Sequence, residues 1–283
     1  MRMKLGQDLC NVPYAWITRE DELAQFRARY GDVIVKPRNG TGSREVMRIG
    51  QANPVPEAIA FPFMAEQYIA GPEYSCETFS FRGTHHMLAV TEKFLGGESG
   101  LVERGHRIGT DDAVLSETMR QQLFALLDKL DIQDGPAHTE VKICDDRLYL
   151  IETHNRPGGD RIWQLVEEAR HFSLVHATIQ GLLGIAPRIG QDETASPNRC
   201  ACIHYPEFDS GNVAAVQIGL RDDHDGIVWH KLEIEPGQEI RPWRQSADRH
   251  GAFIVAADDI ATLASMEAKA RASIQITLST QSC

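Results

Sequence analysis

The sequence predicts an α+β fold, because hairpin-like pairs of strands alternate along it with amphipathic helices. Two apolar-alternating runs flank Asp145 and Asp146 within residues 135–162, which is the pattern of a β-hairpin. A second hairpin is predicted for residues 33–49, and its tip is rich in glycine. Between the two hairpins, Ser116 is a suitable N-cap for an amphipathic helix.

The remaining elements follow from the same periodicities. In chain order they are a helix over residues 18–30, strands over residues 63–69, 73–81 and 86–91, a charged loop over residues 98–112, a helix over residues 162–183 that breaks near His171, and short strands followed by a helix from Asp258. Asp160 is the expected N-cap of the helix that starts near Ile162. A polar connection over residues 190–199 is the best candidate for a subdomain boundary.

The composition is that of a soluble globular protein, since 42% of the residues are hydrophobic and 24% are charged. A formal net charge of -11 argues against nucleic acid or an anionic membrane surface as a partner, whereas a nucleotide needs only local positive charge. No apolar stretch is long enough for a membrane span and no secretory signal is evident, so we expect a cytoplasmic protein.

The hairpin within residues 135–162 carries two carboxylates that can meet. A three-residue loop over residues 145–147 would place Glu140 opposite Glu152 and His138 opposite His154, whereas a two-residue loop would shift the pairing by one step. The apolar residues of the other face would be Val141, Ile143, Tyr149 and Ile151. Carboxylates directly across a strand pair are about 5 Å apart, and at an effective dielectric constant of about 20 they repel by roughly 3 kcal/mol. Such a pair is tolerated in a solvated polar face or around a cation.

The segment after this hairpin favours the cation. Arg156, two glycines at 158 and 159, and the predicted helix start at Asp160 follow the second strand directly. An acidic face next to an arginine, glycines and a helix N-terminus can hold Mg²⁺ together with an anionic group. A binding site is therefore favoured over a solvated face.

Two weaker signals lie elsewhere. Lys36 ends a predicted strand, and the glycine loop follows it; such a loop can bind phosphate, although an ordinary turn beside a solvated lysine is the commoner meaning. Glu103, His106 and Arg107 lie in the predicted loop over residues 98–112, where they are either surface groups or substrate contacts.

Several motifs, in this order, resemble the ATP-grasp superfamily. They are the strand-end lysine, the glycine-tipped hairpin, E-Q-Y-I at residues 66–69, G-P-E-Y at residues 71–74, H-T-E at residues 138–140 and I-E-T-H-N-R-P-G-G-D-R-I at residues 151–162. With V-E-R-G-H-R-I at residues 102–108, the chain is most similar to the carboxylate–amine ligases known as L-amino acid ligases. The resemblance covers about residues 4–276 and implies an ATP-grasp fold, with a small antiparallel-sheet lid subdomain and a larger mixed α/β subdomain.

The resemblance also implies a role for each matching position. The nucleotide would be held by Lys36, Gly40, Thr41, Gly42, Ser43, Glu66, Gln67, Tyr68, Ile69 and Glu73. Glu140 and Glu152 would hold the metal, with His154 or Asn155 completing the site, or with a second Mg²⁺ bound more loosely. Arg156 and Lys36 would steady the transferred phosphoryl group. The substrates would contact Glu103, His106, Arg107, His138 and Asp160.

Residues 1–68 would form the lid subdomain with a leading helix, residues 69–197 the core subdomain with the metal hairpin, and residues 198–283 the C-terminal part of the core. Two departures from the family pattern stand out. His154 replaces the usual asparagine, and imidazole suits Mn²⁺ or Zn²⁺ better than Mg²⁺. The family also has an α/β domain before the point where this sequence begins. We therefore expect either that this sequence is a fragment, or that a partner chain or the second copy in a homodimer supplies the domain.

The implied activity is that of an ADP-forming carbon–nitrogen ligase in dipeptide or secondary-metabolite biosynthesis. It would use ATP and Mg²⁺, or Mn²⁺ instead, to join a small-molecule carboxylate to an amine through an acyl phosphate, and amino acids are the expected substrates. Neither nucleic acid nor a membrane is an expected partner. Two other functions stay open: an ATP-binding subunit without turnover, and a phosphotransferase that stops after phosphoryl transfer.

Overall fold

A computed structural model describes residues 1–6, 10–37, 46–56, 60–98, 100–189 and 198–279 of the chain. Within these ranges the protein has the predicted α+β fold, with helices packed on antiparallel sheets. The predicted phosphate loop, Gly40 to Ser43, lies outside the described residues. In the part of the chain that is described, no helix combines the length and the apolar character needed to cross a membrane.

The helices and strands are numbered from the N-terminus. The helices are α1 (Arg2–Leu5), α2 (Glu20–Tyr30), α3 (Glu117–Leu130), α4 (Ile162–Arg170), α5 (Leu174–Leu182) and α6 (Ile260–Ala272), with a 3-10 turn at Ser246–Asp248. The strands are β1 (Tyr14–Ile17), β2 (Val33–Lys36), β3 (Met47–Ile49), β4 (Phe63–Gln67), β5 (Glu73–Phe81), β6 (Thr84–Gly96), β7 (Val102–Ile108), β8 (Gly135–Cys144), β9 (Arg147–His154), β10 (Cys200–His204), β11 (Gly211–Ile218), β12 (Ile227–Leu232), β13 (Glu239–Ile240), β14 (Gly251–Ala257) and β15 (Ile274–Leu278).

Three sheets organise these strands. The lid sheet has the order β1-β4-β2-β3, and α2 packs on it through a small core of its own. The large sheet has the order β12-β14-β10-β7-β6-β5-β8-β9, and the small sheet has the order β13-β11-β15. The change from lid to large sheet falls between Gln67 and Glu73, and the predicted boundaries at residues 68 and 197 stay predictions.

Helices cover both faces of the large sheet, which explains its depth of burial. On one face, α3 packs Met119 and Leu123 against Cys76 and Val90. On the other face, α4 and α5 contribute to the largest core, whose members from these helices and from the sheet include Leu165, Val166, Leu174, Phe79, Ala89 and Ile203. The strands in the middle of the sheet therefore hold any side chain that they present in a fixed position.

The predicted loop over residues 98–112 is wrong in its central part, because residues 102–108 form β7. This strand pairs with β6 and β10 near the middle of the large sheet, and β6 runs to Gly96 rather than stopping near Thr91. The polar residues of β7 favour a solvent-exposed loop when the sequence is considered alone. They are tolerated in a central strand because charged partners from neighbouring elements meet them.

The β8–β9 hairpin has the predicted register at its open end but not the predicted loop. Glu140 pairs with Glu152, and His138 pairs with His154. The loop nevertheless has two residues rather than three: Asp145 and Asp146 have φ values of 50° and 54°, as a type I′ turn requires.

A β-bulge restores the register that the shorter loop would otherwise shift. Glu140 pairs with Glu152 but Val141 pairs with Leu150, so Ile151 is an extra residue in β9. Consequently, Leu148 and Leu150 are buried in the core, and Ile151 lines a cavity beside Glu152. The predicted placement of Tyr149 and Ile151 on the apolar face is therefore wrong.

Candidate active site

A cavity of about 490 Å³ lies between the lid sheet and the large sheet. The predicted site residues that line it are Lys36, Glu66, Gln67, Tyr68, Ile69, Glu73, Glu103, His106, His138, Glu140, Glu152, His154, Arg156 and Asp160. These residues come from both sheets and from the segment before α4. The fold thus brings most of the predicted positions together.

Among the predicted site residues that the structure describes, two do not line the cavity, Arg107 and Asn155. Arg107 forms an ion pair with Glu92 and lies over the Phe94 ring, 5.1 Å from its centroid. The Asn155 amide donates to the backbone carbonyl oxygens of Asp134 and Pro136, at 3.2 and 2.9 Å. Of the two residues predicted to complete the metal site, His154 lines the cavity and Asn155 does not.

Glu140 and Glu152 face each other across β8 and β9, and Glu140 is the more tightly held. Its Oε1 accepts hydrogen bonds from Lys93 Nζ at 2.8 Å and from His138 Nε2 at 3.2 Å. Burial would raise the pKa of Glu140, but Lys93 and His138 hold it well below its usual range. The Glu152 side chain is 44% exposed, and its Oε1 accepts from His154 Nε2 at 3.0 Å. One carboxylate is fixed, and the other is accessible.

Lys93, on β6, is a buried cation that the sequence patterns did not reveal. Its side chain is 3% exposed, and its Nζ lies 2.8 Å from Glu140, 3.0 Å from Glu73 and 3.8 Å from Glu103. Burial would lower the pKa of Lys93, but the three carboxylates raise it well above its usual range. A sequence signal for Lys93 did exist. If the predicted strand is continued beyond Thr91, period-two alternation places Lys93 on the same face as the buried Thr91.

His138 is held between two carboxylates. Its Nδ1 lies 2.8 Å from Glu77 Oε1 and its Nε2 lies 3.2 Å from Glu140 Oε1, so the ring donates at both nitrogens and is protonated. Burial would lower the pKa of His138, but the charge of Glu77 and the hydrogen bonds to both carboxylates outweigh it and raise the pKa to about 10. Gly158 packs against this ring, where a Cβ would come within 2.8 Å of Nδ1.

The raised pKa of His138 predicts a pH-dependent stability. Since the folded pKa of about 10 exceeds the unfolded value of 6.5, the protonated ring stabilises the fold fully below pH 6.5, and this contribution is lost as the pH rises through 10. In metal-free buffer, we expect the free energy of unfolding from urea titrations to fall more steeply over this range for the wild type than for His138→Gln. Parallel curves would contradict the assignment.

Lys36 reaches the cavity from the end of β2 and shares a carboxylate with a second cation. Its Nζ lies 2.7 Å from Glu66 Oε2, and Arg2 Nε donates to Glu66 Oε1 at 2.7 Å. Burial would raise the pKa of Glu66, but Lys36 and Arg2 hold it below its usual value. The Lys36 side chain is 20% exposed, so it stays accessible from the cavity.

A second charged cluster is centred on Asp160. Arg249 donates to its two carboxylate oxygens at 2.8 and 2.7 Å, and His106 Nε2 lies 3.1 Å from Oδ2. Burial would raise the pKa of Asp160, but these hydrogen bonds hold it well below its usual range. The predicted N-cap role of Asp160 is wrong: Arg161 is the N-cap of α4, and the Asp160 carboxylate is taken by partners distant in sequence.

Glu103 and His106 share the cavity side of β7 because of a bulge at Arg104. Phe94 pairs with Gly105 and Leu95 with Glu103, so Arg104 is the extra residue. Glu103 Oε2 accepts from Ser246 Oγ at 2.9 Å. The buried His106 Nδ1 has no hydrogen-bond partner among the described residues.

The opposed carboxylates suit Mg²⁺ bound together with phosphate. Within the described residues, no group of three or more His, Cys, Asp or Glu side chains is arranged to hold a metal ion. Mg²⁺ needs no such cage, because at nucleotide sites it takes one or two carboxylates and fills its other positions with phosphate and water oxygens. Glu140 and Glu152 would therefore hold the ion, with His154 beside them.

Two protein families match parts of the sequence. The model of the ATP-grasp domain matches residues 57–164, and that of the L-amino acid ligase C-terminal domain 2 matches residues 207–279. No curated protein sequence matches significantly. Among solved structures, the fold is similar to an L-amino acid ligase from Bacillus licheniformis, with a TM-score of 0.77 and 22% identity over 96% of this chain and 69% of that chain.

Two other solved structures have a similar fold. A phosphoribosylglycinamide synthetase from Anaerococcus prevotii has a TM-score of 0.70 and 17% identity over 96% of this chain and 70% of its own. The biotin carboxylase domain of a Hydrogenobacter thermophilus 2-oxoglutarate carboxylase, solved with MgADP, ADP and bicarbonate, has a TM-score of 0.67 and 16% identity over 95% of this chain and 63% of its own.

The fold and the family matches agree: the chain has an ATP-grasp fold, and its residues 57–164 match the ATP-grasp domain. Together with the match of residues 207–279 to the L-amino acid ligase C-terminal domain 2, this domain indicates an ATP-dependent carbon–nitrogen ligase.

Proposed function

We propose that the protein joins a small-molecule carboxylate to an amine, amino acids in both roles, through an acyl phosphate. The observation that carries this proposal is the placement of Glu140 opposite Glu152 in a cavity that Lys36 also lines. Phosphoryl transfer depends mainly on positioning and on neutralising phosphate charge. A carboxylate pair that can hold Mg²⁺, close to a lysine, meets both requirements.

The nucleotide would lie along the lid side of the cavity. Residues 67–69 line the cavity where the lid sheet ends, and they would hold the adenine. The Glu73 carboxylate, whose Oε1 lies 3.0 Å from Lys93 Nζ, would accept hydrogen bonds from the ribose hydroxyls. Lys36 and the predicted loop at residues 40–43 would contact the phosphates. Mg²⁺ at Glu140 and Glu152 would neutralise phosphate charge.

The reaction would proceed in two steps. A carboxylate oxygen of the first substrate bonds to the γ-phosphorus of ATP, and the bond from that phosphorus to the bridging oxygen breaks, which gives an acyl phosphate and ADP. The amine nitrogen of the second substrate then bonds to the acyl carbon and loses a proton, and phosphate takes up that proton as it leaves with the breaking carbon–oxygen bond. Arg156 lines the cavity, and its Nη1 donates a hydrogen bond to the carbonyl oxygen of the adjacent Pro157 at 2.8 Å. This guanidinium would steady the transferred phosphoryl group.

The remaining cavity groups suit a zwitterion. Glu103 and Asp160 supply negative charge, and His138 supplies positive charge. An amino acid presents both an ammonium and a carboxylate to such a surface. The product of such a reaction would be a dipeptide or a related secondary metabolite. Since ATP and free amino acids are both cytoplasmic metabolites, we place the activity in the cytoplasm.

Incubation with ATP, Mg²⁺ and a pool of amino acids, followed by mass spectrometry, tests the proposal. An amide product with stoichiometric phosphate release supports a ligase. Thermal stabilisation by nucleotide without ADP release would instead indicate an ATP-binding subunit, and a stable phosphorylated product would indicate a phosphotransferase.

Lys36→Ala is expected to weaken ATP binding by about five- to tenfold, because a cation beside the phosphates is lost. The effect is limited because Glu66 already offsets part of the Lys36 charge. Isothermal titration calorimetry measures it, with Lys231→Ala, a lysine whose side chain is 64% exposed on β12, as the control. Wild-type affinity in Lys36→Ala would mean that the lid contact is misassigned.

A further inference from the structure

Arg2 connects the two walls of the cavity from behind, although it does not line the cavity itself. Its side chain is 5% exposed. From the lid side, Glu66 Oε1 accepts from Nε at 2.7 Å. From β9, the carbonyl oxygens of Leu150 and Ile151 accept hydrogen bonds from Nη1 at 2.9 Å and from Nη2 at 2.7 Å. Outside β9, Asn11 Oδ1 accepts a further hydrogen bond from Nη1 at 2.7 Å. One guanidinium thus joins β4 of the lid sheet to β9 of the large sheet.

The carbonyls bound by Arg2 belong to the bulge of β9. Ile151 is the extra residue that brings Glu152 opposite Glu140 in spite of the two-residue turn. A bulge interrupts the ladder of strand hydrogen bonds, so its buried carbonyls need other donors. Arg2 supplies these donors and thereby supports the register on which the carboxylate pair depends.

Arg2 also sets the charge balance around Lys36. Glu66 lies 2.7 Å from each of the two cations, so the three groups carry one net positive charge. Without Arg2, Glu66 and Lys36 would form a neutral pair, and Glu66 would hold the lysine more strongly in this poorly solvated position. Less positive charge would then be available to a phosphate.

We propose that Arg2 is a positioning residue: it fixes Glu152 through the β9 bulge, and it keeps the charge of Lys36 available by neutralising Glu66. The inference rests on the proposed function for the identity of the ligand, a nucleotide with Mg²⁺. The two roles are separable, because a lysine at position 2 would retain the charge but could not span the two carbonyls and Glu66 with a planar fork.

Arg27 offers a matched control. It is also buried, with 8% exposure, and its guanidinium likewise donates to backbone carbonyls, those of Gly50, Gln51 and Asn53. None of these three residues lines the cavity. Its replacement therefore reports what the loss of a buried arginine does to the fold alone.

The experiment measures the affinity for a non-hydrolysable ATP analogue, AMPPNP, by calorimetry with and without Mg²⁺. For Arg2→Met we expect a loss of about tenfold. Arg27→Met should keep the affinity within about twofold, even where both variants lose stability.

Adding Glu66→Gln to Arg2→Met should restore much of the Mg²⁺-free affinity, since it releases Lys36. Arg2→Lys should keep the Mg²⁺-free affinity and lose part of the gain that Mg²⁺ gives, and it serves as the test if Arg2→Met does not fold.

Three results would overturn the role of Arg2 alone: unchanged affinity in Arg2→Met, an equal loss in Arg27→Met, or no recovery in the double variant. Absence of AMPPNP binding by the wild-type protein is a different result. It would overturn the proposed function, and the inference with it.

Discussion

Glu152→Gln is expected to lower the rate of amide formation by about 100-fold or more while leaving the fold intact. Glutamine keeps the size of the side chain but removes the charge that would attract Mg²⁺. The side chain is 44% exposed and its hydrogen-bond partner is the nearby His154, so the free energy of unfolding should change by only about 0.5 kcal/mol. Initial rates at limiting Mg²⁺ and urea titrations measure the two quantities.

Glu239→Gln is the matched control for this change. Glu239 has a similar exposure, 54%, and its carboxylate also pairs with a neighbour, Arg241, at 2.6 Å. It lies on β13 of the small sheet, outside the cavity. Turnover by Glu152→Gln equal to that of Glu239→Gln at limiting Mg²⁺ would remove the metal assignment.

Lys93→Met should have the largest effect on stability, a loss of about 3–5 kcal/mol in the free energy of unfolding. The side chain is 3% exposed and lies among Glu73, Glu103 and Glu140, all within 3.8 Å of its ammonium. Methionine fills similar space but leaves these carboxylates without their shared cation in a poorly solvated place. Urea titration at neutral pH measures the loss.

Two further variants separate charge from packing at position 93. Lys231→Met removes an exposed lysine from β12 and should change stability by no more than about 0.5 kcal/mol. Lys93→Met/Glu140→Gln removes one buried positive and one buried negative charge, and it should recover part of the loss. If Lys93→Met were as stable as the wild type, the buried network would not be a structural requirement.

The hairpin shows how far sequence patterns reach in this protein. Alternation predicts the pairing of Glu140 with Glu152 correctly, because the polar residues of both strands must share one face. The predicted loop is wrong, since periodicity does not reveal a bulge: the extra residue, Ile151, changes the face of every later position in β9. A correct register thus follows from an incorrect turn.

The residues that sequence patterns miss have partners distant in sequence. Lys93 meets Glu140 from another strand, Arg249 meets Asp160 across the chain, and Arg2 reaches both sheets from the first turn of helix. Neither a local motif nor a period marks such positions, because their environment exists only after folding. The same limit explains why residues 102–108 resemble a loop, since their charges are balanced by neighbours that the local sequence does not contain.

Other expectations depend on the family resemblance rather than on periodicity. It leads to His154 and Asn155 as alternatives for the metal; His154 lines the cavity, whereas Asn155 donates to two carbonyls at the start of β8. It also groups Arg107 with Glu103 and His106, whereas the strand turns Arg107 toward Glu92. Motif spacing alone carries no information about which face of a strand a residue occupies once a bulge intervenes.

A crystal structure of the protein with AMPPNP and Mn²⁺, the latter located by anomalous scattering, is the most direct test of the metal site. We predict an anomalous peak between the carboxylates of Glu140 and Glu152, coordinated also by phosphate oxygens of the nucleotide. Nucleotide bound in the cavity with Mn²⁺ elsewhere, or with the two glutamates turned away from the ion, would contradict it.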